Sequence, residues 1–137
     1  MPPEKRVRFA FRGRGLVLLG ANLKSKMVET VDYQTITPAE LWERRKRGEE
    51  LLLIDVREPD EYAMAHIEGV RLLPLCLFKE WAETLDPEAE TVFICHHGIR
   101  SAQVCTYFAR QGFSRLYNLE GGIDQWSRDV DASVPRY

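Results

Sequence analysis

The chain has 137 residues, 45% apolar and 10% aromatic, enough for one buried core and one domain. No apolar run nears the roughly 18–20 residues of a membrane span, and the run at 16–19 is shorter than a signal-peptide core of about 7–15 residues. The net charge of −2 and three cysteines, odd in number and without a C-x-x-C pair, exclude a disulfide-stapled scaffold and a clustered zinc site; they point to one functional thiol in a reducing compartment, the cytoplasm.

The first 26 residues carry seven basic side chains (Lys5, Arg6, Arg8, Arg12, Arg14, Lys24, Lys26) against the single acid Glu4. With Gly13, Gly15 and Gly20 and no sustained period, residues 1–30 are expected to be a disordered basic arm, and 31–137 the folded domain. Such an arm can engage nucleic acid or an anionic membrane surface. A solvated tail, or an extension upstream of a start at Met27, is the simpler expectation, so no nucleic-acid partner is assigned.

Thr37-Pro38-Ala39-Glu40 announces a helix, with Thr37 as cap, Pro38 in the first turn and Glu40 closing a capping box. Leu41 and Trp42 supply its buried face, and the charged run from Glu43 to Arg47 is a solvated end stopped by Gly48. Leu51-Leu52-Leu53-Ile54 is the continuous apolar run of a strand covered on both faces, and Glu58-Pro59-Asp60-Glu61 opens a short helix through Met64. A strand over 70–73 is stopped by Pro74, and residues 76–84 are expected as one helix with Leu77, Phe78 and Trp81 on one side. Residues 91–94 make the next strand, 101–110 an apolar helix closed by Gly112, and 115–119 the last strand. Gly121-Gly122 leads to a final helix at 123–126, and Val134-Pro135-Arg136-Tyr137 is a short surface tail. Strands alternating with helices predict an α/β domain with a parallel sheet covered on both faces. Its ligands would bind beyond the carboxyl ends of the strands.

Cys95 stands at such an end. The order strand, Cys95-His96-His97-Gly98-Ile99-Arg100, helix must curl so that backbone N–H groups point inward, an anion nest at a helix N-terminus. Gly98 permits the turn, and the nest with the helix dipole favours a thiolate at Cys95. Arg100 adds a fixed charge with a planar fork of donors, and His96 and His97 add charge when protonated. Adjacent histidines on a tight loop do not aim at one ion, so no metal is expected. Cys105, within the apolar helix, and Cys76, in an apolar stretch, are core or near-core groups, Cys76 the more reactive of the two.

These residues resemble the rhodanese family, whose sulfurtransferase domains carry a six-residue active loop beginning with Cys and ending with Arg. The segment from Ile54 to Tyr62 with His66-Ile67-Glu68-Gly69, and the segment from Tyr117 to Trp126, are similar to that family's flanking motifs. Ala65 and Glu68 depart from the usual Gly and Pro, and two histidines make the loop less cationic at neutral pH. The resemblance implies a single rhodanese-like domain with a central five-stranded parallel sheet flanked by helices on both faces. It also implies sulfur carried as a Cys95 persulfide, held by the amides of His96, His97, Gly98, Ile99 and Arg100. Asp55, Arg57 and His66 support the first strand–helix turn by hydrogen bonds and an ion pair, a structural role more than a catalytic one. Glu120 and Asp124 are surface or capping groups.

The implied activity is a thiosulfate:cyanide-type sulfurtransferase needing no metal or organic cofactor. A small anionic donor such as thiosulfate loads Cys95, and a thiol or cyanide unloads it. Two alternatives stand beside it. One is a carrier taking sulfur from a cysteine desulfurase to an acceptor protein in thio-cofactor or tRNA thiolation; the other is a non-catalytic binding module, against which Cys95 and the short loop argue.

Overall fold

The computed structural model describes residues 14–18 and 27–137. Most of the expected basic arm, 1–13 and 19–26, lies outside them. Where the arm is described it pairs: β1 (Arg14–Leu18) and β2 (Met27–Val31) form an antiparallel two-stranded sheet with Leu16 opposite Glu29.

The local signals downstream act as their chemistry dictates. In α1 (Pro38–Lys46) the Thr37 hydroxyl accepts from the Glu40 amide at 3.1 Å, and the Glu40 carboxylate accepts from the Thr37 amide at 2.9 Å. Helix α2 (Pro59–Met64) has a box of the same kind between Glu58 and Glu61. The segment after Pro74 departs from one continuous helix. It divides into a 3-10 turn (Leu75–Leu77), the single α-turn α3 (Phe78–Trp81) and another 3-10 turn (Ala82–Thr84). The Thr84 hydroxyl donates to the Trp81 carbonyl at 2.7 Å and the Trp81 indole to the Pro74 carbonyl at 2.8 Å, so side chains take acceptors that helical amides would use.

Five strands build one parallel sheet in the order β3-β7-β6-β4-β5: β3 (Gln34–Ile36), β4 (Leu52–Asp55), β5 (Arg71–Leu72), β6 (Thr91–Ile94) and β7 (Leu116–Leu119). This is the α/β architecture that the alternating elements predict. Strand periodicity splits the apolar residues between two faces. Ile54 and Phe93 pack with Trp81 and with Val104, Cys105 and Phe108 of α4 (Ile99–Arg110). Leu53, Val92 and Ile94 pack with Leu41 of α1 and with Ile123 and Trp126 of α5 (Gly122–Asp129).

The strand order also places the site. From β4 the chain leaves through α2 to β5 on one side, and from β6 it leaves through α4 to β7 on the other. The crevice between the carboxyl ends of β4 and β6 is therefore a topological switch point, where open α/β sheets bind ligands. Asp55-Val56-Arg57 and Cys95 flank it, joined where the Val56 amide donates to the Ile94 carbonyl at 2.9 Å.

Candidate active site

Cys95 leaves the buried end of β6 and is itself 1% exposed. Gly98 turns the chain with φ +94°, a left-handed angle open to glycine, and caps α4. The turn aims two amides at the sulfur: Gly98 N–H donates to Sγ at 3.1 Å and Ser101 N–H at 3.3 Å. The Ser101 hydroxyl lies 3.2 Å from Sγ and is also bonded to Asn118 Oδ1, while Asn118 Nδ2 donates to the Gly98 carbonyl at 3.0 Å. The loop's outward carbonyls are held from α5, whose Ile123 and Asp124 amides donate to Cys95 and His96 at 2.9 and 3.1 Å. The cradle thus presents donors to sulfur on one side and is clamped by a helix N-terminus on the other.

Arg100 does not stand free over this cradle. Its Nη1 and Nη2 donate to Glu61 Oε2 and Oε1 at 2.8 and 2.9 Å, a bidentate pair. Glu61 also accepts from the Glu58 amide at 3.1 Å and from the Tyr137 hydroxyl at 3.0 Å. These donors, the Arg100 guanidinium foremost, hold its carboxyl at about 2, well below the usual carboxylate range, and Glu61 raises Arg100 in turn. Tyr137 closes the network. Its hydroxyl accepts from Arg57 Nη1 at 2.7 Å, and its ring lies parallel to that of His96, centroids 3.9 Å apart. Burial, then the neighbouring His97, keeps His96 below its ordinary value.

Of the supporting residues, the structure brings Asp55 and Arg57 together in a fully buried pair, Nη2 to Oδ2 2.6 Å. The Arg57 fork also reaches the Ala65 carbonyl at 2.6 Å and so locks the turn after β4. His66 stands apart from that pair. It is exposed, stacked on Tyr62 with its Nδ1 2.9 Å from the Tyr62 carbonyl. Ile99 is 70% exposed and His97 is exposed, so both form the lip of the loop. Asp124 is buried and held by Arg136 at 2.9 Å and Arg128 at 3.2 Å.

The other thiols diverge. Cys105 is buried, and desolvation pushes it up to about 12. Cys76, expected near the core, is exposed because the chain breaks into a 3-10 turn there; a hydrogen bond to Glu58 raises its thiol. Ser101, Asn118, Glu61 and Tyr137 were not singled out from the sequence. Ser101 and Asn118 border recognisable segments, whereas nothing local marks Glu61 or Tyr137 as neighbours of the loop. Among the described residues, no group of three His, Cys, Asp or Glu is placed to hold a metal, and no helix is long and apolar enough to cross a membrane.

Comparison with known proteins matches the geometry. The sequence model of the rhodanese-like domain matches residues 37–129. The chain is 42% identical over 100 residues to the putative sulfurtransferase YtwF of Bacillus subtilis, covering 73% of this chain and 96% of that one. It is 34% identical over 94 residues to the thiosulfate sulfurtransferase GlpE of Pseudomonas paraeruginosa, covering 69% and 84%. The rhodanese-related protein of Thermoplasma volcanium superposes with a TM-score of 0.64 at 30% identity, over 72% of this chain and 94% of that one. Against other curated relatives the chain spans about a third of their length.

Proposed function

The chain belongs to the rhodanese-like domain family, whose members it resembles include sulfurtransferases, and from that membership we propose that Cys95 carries sulfur as a persulfide between a sulfane donor and a thiophilic acceptor. The single observation behind this is the cradle: the Gly98 and Ser101 amides and the Ser101 hydroxyl all lie within 3.3 Å of Sγ. In the proposed cycle the Cys95 thiolate attacks the outer sulfur of thiosulfate, and the S–S bond breaks with its electron pair leaving on sulfite. Cyanide or a thiol then attacks the outer sulfur of the Cys95 persulfide and restores the thiolate. The loop donors stabilise both anionic states, and the cycle calls on no metal or organic group. A compartment that keeps thiols reduced, the cytoplasm, suits it.

A second reading has the same persulfide loaded by a cysteine desulfurase or delivered to an acceptor protein. In that reading Ile99, an apolar side chain 70% exposed in the loop, is where the partner would make contact.

Intact mass after treatment with thiosulfate or cysteine persulfide tests the first reading. One added sulfur, about 32 Da, is expected on wild type and on the Cys76→Ser and Cys105→Ser variants, and none on Cys95→Ser. A Cys95→Ser protein that still converts thiosulfate and cyanide into thiocyanate overturns it.

A further inference from the structure

Resting on the sulfur-transfer reading, we propose that Glu61 is a specificity-determining residue. Braced by Tyr137, it withholds the charge of Arg100 from the donor and turns the site from thiosulfate toward organic persulfides.

Thiosulfate is a dianion whose departing group, sulfite, carries its charge on oxygens, and a free guanidinium beside Cys95 would hold those oxygens bidentately. Here the Nη1–Nη2 edge of Arg100 that would do so is paired with Glu61, at 2.8 and 2.9 Å, and its charge is offset there. The carboxylate is itself immobile, because the Glu58 amide and the Tyr137 hydroxyl fix its two oxygens. Tyr137 is anchored by Arg57, which is fully buried, and by the stack on His96. Glu61 stays ionised down to about pH 2, so the pair is neutral throughout the working range. His96 does not replace the missing charge, since burial holds it toward its neutral form.

What surrounds the cradle suits a donor with a carbon substituent. Ile99, next to Arg100 in the chain, is largely exposed, and His96, next to Cys95, stacks on the Tyr137 ring. With an organic persulfide, the Cys95 thiolate attacks the outer sulfur of R–S–SH and the S–S bond breaks. The R–S⁻ thiolate leaves with the electron pair, and the proton remains with the new Cys95–S–SH. No oxyanion has to be stabilised at the departing end.

The test measures kcat and KM for loading of Cys95, by quenched-flow mass spectrometry, with thiosulfate and with cysteine persulfide. Wild type is expected to favour cysteine persulfide. Glu61→Gln, which keeps a hydrogen-bond acceptor but unmasks the charge of Arg100, should raise kcat/KM for thiosulfate about tenfold, chiefly through KM, with the persulfide value changed less than about twofold. Tyr137→Phe, which removes only the bracing hydroxyl, should move the ratio the same way by about threefold. In Glu61→Gln with Arg100→Gln the gain should vanish, which a merely structural role for Glu61 does not predict. A ratio that stays put in Glu61→Gln, or a gain that survives in the double variant, overturns the proposal. If Glu61→Gln does not fold, an unchanged ratio in Tyr137→Phe overturns it alone. Wild type that loads from neither donor defeats the sulfur-transfer reading and this inference with it; normal loading with an unchanged ratio defeats the donor assignment only.

Discussion

Ser101 has one hydroxyl proton and two acceptors within reach, Cys95 Sγ and Asn118 Oδ1. When the sulfur is anionic the proton is best spent on it, because a hydrogen bond to a charged group is about twice as strong as a neutral one. Ser101→Ala removes that donor and leaves the Gly98 and Ser101 amides in place. We expect Cys95 loading to slow about tenfold, measured by mass against time, with little change in melting temperature. The neighbouring thiols separate by environment. Cys105, pushed up to about 12 by burial, should stay unmodified by iodoacetamide at pH 8 in the folded protein, as peptide mapping would show. Cys95 was legible in the sequence because its residue type and its place after a strand coincide. Asn118, the partner of the Ser101 hydroxyl, was not, because 17 residues separate the two.

At the scale of elements, the cradle depends on how closely α5 approaches the loop. Gly121 and Gly122 have φ of +70° and +60°, and a Cβ on Gly122 would collide with the Cys95 and His96 carbonyl groups. That approach is what lets the Ile123 and Asp124 amides reach the loop. Gly122→Ala should therefore cost about 3 kcal/mol or more, from backbone strain plus a clash that has no flexible neighbour to absorb it. Chemical denaturation checks this, and a loss below about 1 kcal/mol would mean that the loop moves freely away from α5. Capped helices and the apolar β4 were legible because their signals lie within one turn or one short run. The three-residue β3 was not: only Ile36 of Gln34–Ile36 is buried, too little for a period.

Across the whole molecule, Glu61 ties three distant segments together: α2, the start of α4 through Arg100, and the chain end through Tyr137. Its folded-state pKa is depressed to about 2 from an ordinary 4.5, so the stability it contributes is complete above about pH 4.5 and is lost as pH falls toward 2. Glu61→Gln, which cannot ionise, should melt below wild type at pH 6, with the gap closing between pH 4.5 and 2. A gap independent of pH would show that the pair adds nothing through its charge. Thermal scans of both proteins across that window decide it.

The sequence by itself determined what neighbouring residues determine: the capped α1, the buried strands, the six-residue loop after β6 and the glycines that turn it. From these came the α/β fold, the family and the place of Cys95 at the end of a strand. Only the tertiary structure decided the electrostatics around that loop. Arg100 is free or neutralised according to Glu61, 39 residues earlier, and Glu61 is held by Tyr137, a further 76 residues along the chain. Contacts at such separations leave no period, because neither partner's chemistry constrains its own sequence neighbours. They arise where the crossovers of the sheet bring α2, α4 and the chain end to the same strand ends.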